Sequence, residues 1–360
     1  MKVFRPLLAL ALGLGLGLGV AAIAGENPWH VFLVLVKGAF GSRYDLGMTL
    51  FYMTPLLFTG LSVALTYRAG LFNIGSEGQL TMGALAAAAV GIAFPNVPVG
   101  WSWLLAVVAS AAAGGGWAGI AGWLKAKRGS HEVISTIMLN FIAASLASYV
   151  TLEVLKNPES QSPESLPIGT SYLLPKIPGL EESPVSLALV VAVAVALLLG
   201  WILARTRFGF ELKIVGQSES AARVAGIDVG RMQILAMILS GMLASGVSLG
   251  EILGSAHRFK LGFSPEYGFM GIAVALLARG NPIATIGSAF LFAALHKGTA
   301  DLDIETENVT RDLALVIQAL VIAAVSAEGL WDRIFSPRRK GQAQTVVDTK
   351  QGGATGVVSG

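Results

Sequence analysis

The chain contains no cysteine and only 4 histidines in 360 residues. The first absence removes disulfide staples, thiolate metal sites and cysteine nucleophiles. The second leaves His30, His131, His257 and His296, no two of which stand three or four residues apart, so a histidine metal centre is not expected. Charge is scarce as well. Asp, Glu, Lys and Arg supply 13% of the residues, about half the share in a soluble globular chain, while hydrophobic residues reach 54% and mean hydropathy is +0.68. That balance excludes a soluble enzyme and makes a bilayer the expected solvent. Enzyme signatures are missing too: there is no G-x-x-x-x-G-K-[ST] phosphate loop, no His-Glu-x-x-His, no G-x-S-x-G elbow and no dinucleotide fingerprint. No catalytic residue, metal or cofactor is therefore assigned. The formal net charge of +3 says little on its own, and no nucleic-acid partner is expected.

What is present is apolar length and glycine. Forty-four glycines stand against 14 prolines, the proportion expected where small residues let transmembrane helices approach closely. Apolar runs fall at 7–25, 46–66, 80–94, 101–124, 133–152, 185–204, 232–253, 284–296 and 313–327, with a shorter one at 268–278. Threading these with the N-terminus inside places roughly two thirds of the lysines and arginines on the cytoplasmic connections, as the positive-inside rule requires. The spacing predicts an all-α, polytopic transmembrane helical bundle of about ten crossings with both termini cytoplasmic. The short run keeps that alternation only as a broken or tilted segment, completed around Glu266 or Asn281-Pro282. Lys2 and Arg5 before the first run, and Ala22-Ile23-Ala24 after it, also fit a cleaved signal. A retained helix is expected, because Gly13, Gly15, Gly17 and Gly19 supply small-xxx-small patterns.

Two connections are long. Residues 153–184 carry six prolines among polar residues and read as an extracytoplasmic loop with no packed core of its own. The acids and His257-Arg258 near Glu251, on the same side, either meet a soluble partner or solvate the loop ends, the second being the expectation. Residues 331–360 begin with Arg338-Arg339-Lys340 and continue polar and glycine-rich, as in a disordered cytoplasmic tail whose start suits an anionic lipid surface.

Three stretches carry functional residue types. In 205–231 a short helix is marked by Ser218 as N-cap, Glu219 in the first turn, Ala222 as a helix-compatible position, Arg223 in the last turn and Gly226 at C′. A free helix of this length is unstable in water, so it needs a partner surface. At 70–84, GLFNIGSEGQLTMGA brings Asn73, Glu77 and Gln79 to the start of a membrane run. A carboxylate there either caps the helix N-terminus or belongs to a transport path or gate. In 131–140, HEVISTIMLN, Thr136 and Asn140 share a helix face and serve either as interhelical glue or as contacts for a polar solute.

Together, 70–84, 131–140 and GFELKIVGQSESAARVAGI at 209–227 resemble the branched-chain amino acid/ribose-type permeases of ABC transporters, particularly their simple-sugar and nucleoside branch. The resemblance extends over most of the chain. It implies a transmembrane permease domain at 1–330 that moves a small polar solute by alternating access, with nucleosides the first expectation and simple sugars or branched-chain amino acids next. It also implies a cytoplasmic ATPase subunit, a second permease subunit (a related chain or an identical copy) and an extracytoplasmic solute-binding protein, in a bacterial inner membrane. On this resemblance 205–231 is the coupling loop, with 218–226 seated in the ATPase. An ion-coupled secondary transporter is the alternative that Glu77 and the broken segment motivate.

Overall fold

The computed structural model describes residues 4–306 and, beyond them, 309, 315, 316, 319, 320 and 323. The expected span at 313–327 is thus described at a few positions only, and the tail at 331–360 lies outside the described residues. Among the described residues the chain is helical with no named strand: α1 Phe4–Ile23, α2 Pro28–Phe40, α3 Arg43–Arg68, α4 Ser76–Ala93, α5 Trp101–Arg128, α6 Glu132–Tyr149, α7 Ala188–Arg205, α8 Arg207–Gln217, α9 Glu219–Val224, α10 Val229–Ser245, α11 Tyr267–Leu277, α12 Pro282–Ala300 and α13 Leu302–Glu305. Helices α6 and α10 continue as π-helical turns, Val150–Val154 and Leu249–Ala256. Among the described residues five helical stretches are long and apolar enough to cross a bilayer: Arg43–Arg68, Trp101–Arg128, Glu132–Val154, Ala188–Arg205 and Val229–Ala256.

α3 is the axis of the bundle, with α10, α11 and α12 packed around it. Its sequence is apolar on every side, as expected of a helix surrounded by protein, and its hydroxyls return to nearby backbone: Thr59 donates to the Pro55 carbonyl at 2.9 Å and Thr66 to that of Val63 at 3.0 Å. Gly60 lets α11 and α12 close in, since a Cβ there would meet Val274 at 2.7 Å and Thr285 at 2.8 Å. The α5–α10 pair is closer still. Gly241 lies against the Gly114 carbonyl, so one helix backbone touches the other, and Gly122, about two turns further along α5, faces Met237 and the Ile234 backbone. The glycines are spent on helix contact, which in lipid gains dispersion energy that apolar burial alone cannot supply.

The basic residues gather at one end of the bundle. Arg68 Nε donates to the Gly280 carbonyl at 2.8 Å, Lys125 pairs with Glu132 at 2.9 Å, and the α8 backbone at Gly216 abuts that of Arg68. The opposite end holds Lys297 between Asp45 at 3.2 Å and Asp301 at 2.6 Å.

Two features depart from the sequence expectations, and a third, the broken segment, takes a definite form. Residues 28–40 form a helix, α2, within a stretch expected to be a simple connection. Its 13 residues, about 20 Å of rise, are too few to register as a span, and it packs against α12 and α3. In α1 the two glycine registers are not equivalent: Gly13, Gly17 and Ala21 are buried, whereas Gly15 and Gly19 have nothing within 4 Å. The short run at 268–278 is α11, whose 11 residues rise about 17 Å, near half a hydrocarbon core. It lies beside the half of α3 that leads to Arg68, with Gly271 against Thr59 and Gly280 against Tyr67. The rest of that passage is non-helical chain, descending from a backbone bond between Leu261 and Pro163 to Glu266.

The loop at 153–184 folds over this descent. Ser165 N–H donates to the Phe259 carbonyl and Ile168 N–H to that of His257, both at 2.9 Å. Tyr172 is fully buried and joins the main core, its hydroxyl donating to the Phe94 carbonyl at 3.1 Å. Arg258 and Glu251 do not solvate the loop ends. Arg258 pairs with Glu164 at 2.7 Å, and Glu251 is 7% exposed. The local sequence is polar enough for either fate; the pairing of 153–184 with 257–261 decides it.

Candidate functional site

Two places carry the residues singled out above, and both can be built from local chemistry. The first is where α4 begins. Ser62, about three-quarters of the way along α3, hydrogen-bonds Ser76 at 3.1 Å, so α4 starts beside the interior of α3 and not beside its end. By the helical rise, the six residues from Ser62 to Arg68 set that start about 9 Å inside the basic end. Residues 69–75 fold back to reach it, and Gly70 takes φ +72°, a left-handed turn that favours glycine.

Backbone that turns inside a bilayer must be satisfied by protein, and the predicted residues do this. Asn73 is fully buried: its Nδ2 donates to Ser240 Oγ of α10 at 2.8 Å and to Gln79 Oε1 at 3.0 Å, while its Oδ1 accepts from the Gly75 N–H at 2.8 Å. Gln79 is 1% exposed. Ser240 also bonds Ser62 at 2.8 Å, closing a polar network across α3, α4 and α10. From α6, Asn140 reaches over with both ends of its amide. Its Oδ1 accepts from the Gly78 N–H and its Nδ2 donates to the Ile74 carbonyl, each at 2.9 Å. Thr136, one turn away on the same face, is buried against Gly75, where a Cβ would meet it at 2.9 Å.

Glu77 stands in the first turn of α4 yet caps another helix. Its Oε2 accepts from the Gly268 N–H at 2.7 Å, and the Ser264 side chain bonds it as well. A carboxylate at the positive end of α11 is favoured by the unsatisfied N–H groups there. The next acid, Glu251, sits on the π-helical turn after α10 and hydrogen-bonds Tyr267. Its Oε1 is buried with no hydrogen-bond partner of standard geometry among the described residues. The five candidates Asn73, Glu77, Gln79, Thr136 and Asn140 are therefore brought together around the facing N-termini of two interrupted helices. Sequence reading missed Ser62, Ser240, Tyr267 and the burial of Glu251. Only Glu251 had a usable signal, a carboxylate inside an apolar run.

The second place is 205–231. Ser218 Oγ accepts from the Ala221 N–H at 3.3 Å and α9 follows it. At the other end Ile227 N–H donates to the Ala222 carbonyl at 2.9 Å and Gly226 N–H to that of Arg223 at 3.0 Å, with Gly226 at φ +77°. This pair of bonds is a Schellman motif. Arg223 pairs with Glu219 at 3.2 Å, and Glu219 also accepts from Gln233 at 2.9 Å. Ala222 is buried while Val224 is 91% exposed, so the helix rests on α8 and α10 with one edge free. Helix α8 was not anticipated, although Thr206 caps it through the Gly209 N–H and Leu212 and Val215 make its buried stripe.

On the opposite end, two titratable groups of the loop pairing are displaced from their ordinary ranges. The Ser160 hydrogen bond, with the Arg258 bond and charge, holds Glu164 below the usual carboxylate value, and burial pushes His257 below the usual imidazole value.

Known proteins resemble this chain along most of its length. The family model for the branched-chain amino acid transport system permease component matches residues 46–326. A guanosine ABC transporter permease protein of Bacillus subtilis is 34% identical over 93% of this chain and 97% of its own. A nucleoside ABC transporter permease protein of Lactococcus lactis is 30% identical over 98% of each. A glucose ABC transporter permease protein of Haloferax volcanii is 35% identical over 84% of this chain and 82% of its own. Among solved structures, a metal-chelate type ABC transporter in an inward-facing conformation shares the fold at a TM-score of 0.50 and 15% identity, covering 83% of this chain and 97% of that one. The helical bundle and the match over residues 46–326 make this chain a member of the branched-chain amino acid transport system permease family, a multi-pass membrane subunit of an ABC transporter and not itself an enzyme.

Proposed function

We propose that the chain forms half of an importer for nucleosides and that its α9 is the element through which a cytoplasmic ATPase drives it. The observation that carries the solute is the similarity to a guanosine permease over 93% of this chain. The glucose permease relative favours a second reading, simple sugars. What supports the coupling role of 218–226 is its construction: a helix of 6 residues, capped at both ends and seated on α8 and α10, presents Arg223 and Val224 outward. A cytosolic motor can push on such an element without unfolding it, and the push passes to α7 and α10 as a rigid-body movement. A second permease subunit and an extracytoplasmic solute-binding protein complete the assembly, with the α8–α9 end and both termini cytoplasmic.

The path or gate lies where α4 and α11 begin. Glu77 ties the two interrupted helices to each other, while Asn73, Gln79, Thr136 and Asn140 tie the start of α4 to α6 and α10, and loosening this joint would open the bundle beside α3. Interrupted helices are the usual places where a transport route meets polar backbone. Alternating access then follows from ATP and the external partner favouring different arrangements of this joint.

The deciding measurement is uptake into proteoliposomes holding the chain with its ATPase, its second permease subunit and its binding protein. Labelled guanosine, glucose and leucine are compared with and without ATP. ATP-dependent guanosine uptake is expected; glucose uptake with no guanosine uptake would transfer the solute to the sugar reading, and leucine uptake alone would reject both.

A further inference from the structure

The joint where α4 and α11 begin holds two carboxyl groups, and they are not equivalent. Both grip the start of α11, each from a different helix. Glu77 of α4 accepts from the Gly268 N–H at 2.7 Å, and Glu251, on the π-helical turn after α10, hydrogen-bonds the side chain of the preceding residue, Tyr267. Glu77 is committed, since the Ser264 side chain bonds it as well. Glu251 keeps spare capacity: it is 7% exposed, and its Oε1 has no hydrogen-bond partner of standard geometry among the described residues. A buried acceptor left open is costly, and an ionisable residue inside a membrane bundle is kept where something uses it. A π-helical turn within a longer helix marks functional positions for the same reason.

The surroundings narrow what that use is. Tyr267 is 2% exposed, and Tyr52 of α3 is within electrostatic reach of both Tyr267 and Glu251. Tyr52 follows Arg43, the first residue of α3, by nine positions, which sets it about 14 Å inside that end of the bundle. His296 packs edge-on against Tyr52 at 4.7 Å between ring centroids, and the neighbouring Lys297 is engaged by Asp45 and Asp301, so that cation is spent elsewhere. A carboxyl group with an open oxygen, flanked by two phenol rings, suits an uncharged ligand that has hydroxyl donors on one edge and an apolar ring face. Guanosine and glucose, the two solutes weighed above, both have vicinal hydroxyls and no charge.

We propose that Glu251 selects the solute, accepting hydrogen bonds from the vicinal hydroxyls of a pentose or hexose when the α4–α11 joint opens, with Tyr267 and Tyr52 beside the sugar ring. The inference rests on that joint being the path or gate. A vicinal diol is common to a ribonucleoside and a simple sugar, so the contact holds for either solute.

The test is uptake into the proteoliposomes described above, with each solute at a concentration that saturates the binding protein. Guanosine is compared with 2′,3′-dideoxyguanosine and glucose with 2,3-dideoxyglucose, analogues that lack the diol; whichever pair contains the transported solute is read. The binding protein is the same in every arm, so a change in the ratio of parent to dideoxy uptake belongs to the permease. Glu251→Met keeps the volume and removes the acceptor, and is expected to lower that ratio about tenfold; Glu251→Gln, which keeps one acceptor oxygen, should lower it about threefold. If Glu251→Met does not assemble, Glu251→Gln decides alone. An unchanged ratio would overturn the contact and leave Glu251 as an anchor for Tyr267. An equal fall in Tyr267→Phe, which removes the anchored hydroxyl and keeps the acceptor, would overturn it in the same way. Glu77→Gln, with no open acceptor, is expected to slow parent and analogue alike. Normal uptake in Glu77→Gln would take the gate away from this joint while the Glu251 ratio is still read, so the two failures are distinguishable. Uptake of leucine alone would overturn the diol contact together with the solute reading.

Discussion

At the start of α4 the hydrogen bonds join residues far apart in the chain: Asn73 to Ser240, Asn140 to Gly78, Gly268 to Glu77. At α9, in contrast, the capping bonds join Ser218 to Ala221, Arg223 to Gly226 and Ala222 to Ile227, never more than five residues apart. The first region sits among α3, α4, α6, α10 and α11 with its amides fully committed; the second stands at the end of the bundle with Val224 in the open. Inside a bilayer a turn in the backbone has no water to satisfy it, so neighbouring helices must supply every partner. At the surface a short helix can satisfy its own ends. One region thus resists change through its partners, and the other can be altered without cost to the bundle.

Substitutions that set these regions against each other should separate stability from coupling. The largest effect is expected from Gly268→Val, because any Cβ there meets the α4 backbone at Glu77. Overpacking costs about 1–3 kcal/mol, and contact with backbone that cannot move aside puts this variant at the upper end, read as a fall in melting temperature in detergent. Asn140→Ala comes next. It strands the Gly78 N–H and the Ile74 carbonyl, for about 1–3 kcal/mol; an unchanged melting temperature would mean that these groups find other partners. Ser218→Ala removes the α9 cap at a local cost of about 1 kcal/mol. Faster amide exchange confined to 218–227 is the expected signature, with the bundle's melting point unmoved.

Arg223→Glu sharpens the contrast further. Stability should shift by less than about 0.5 kcal/mol, as for most surface positions, while ATP-driven uptake is lost. Normal uptake in this variant would remove α9 from the coupling role. The smallest effect concerns the opposite end of the molecule. Glu164 is held below its ordinary value of 4.5, so its contribution to the loop pairing is in force above pH 4.5 and is lost as pH falls below it, through the folded-state value. Exchange protection at Ser165 and Phe259 should fade over that window and persist in Glu164→Gln, though at a lower level.

The same contrast explains which features are legible in the amino-acid sequence. Ser218, Glu219, Arg223 and Gly226 form a pattern complete within nine residues, so residue types and their spacing suffice to mark both ends of α9. Helix α8 is within reach by the same means, through Thr206 and the spacing of Leu212 and Val215. The α4 start is legible only as a cluster of polar residues in an apolar setting. Whether Asn140 bonds a helix or a solute, and whether Glu77 caps its own helix, depends on α6 and α11 arriving from elsewhere. Glu77 caps neither its own helix nor a loop but the N-terminus of α11, 191 residues away.

Composition alone determined the bilayer as solvent and the use of glycine for helix contact, because these follow from residue types without regard to position. Local spacing determined the apolar runs and the capped helix, because a helix closes its bonds within four residues. Tertiary structure decided the rest. It set the half-length of α11, the burial of Glu251 beside Tyr267, and the choice of Gly13 and Gly17 over Gly15 and Gly19. Each of these depends on which helices become neighbours, and in lipid that is chosen by surface fit and by the need to pair every polar group.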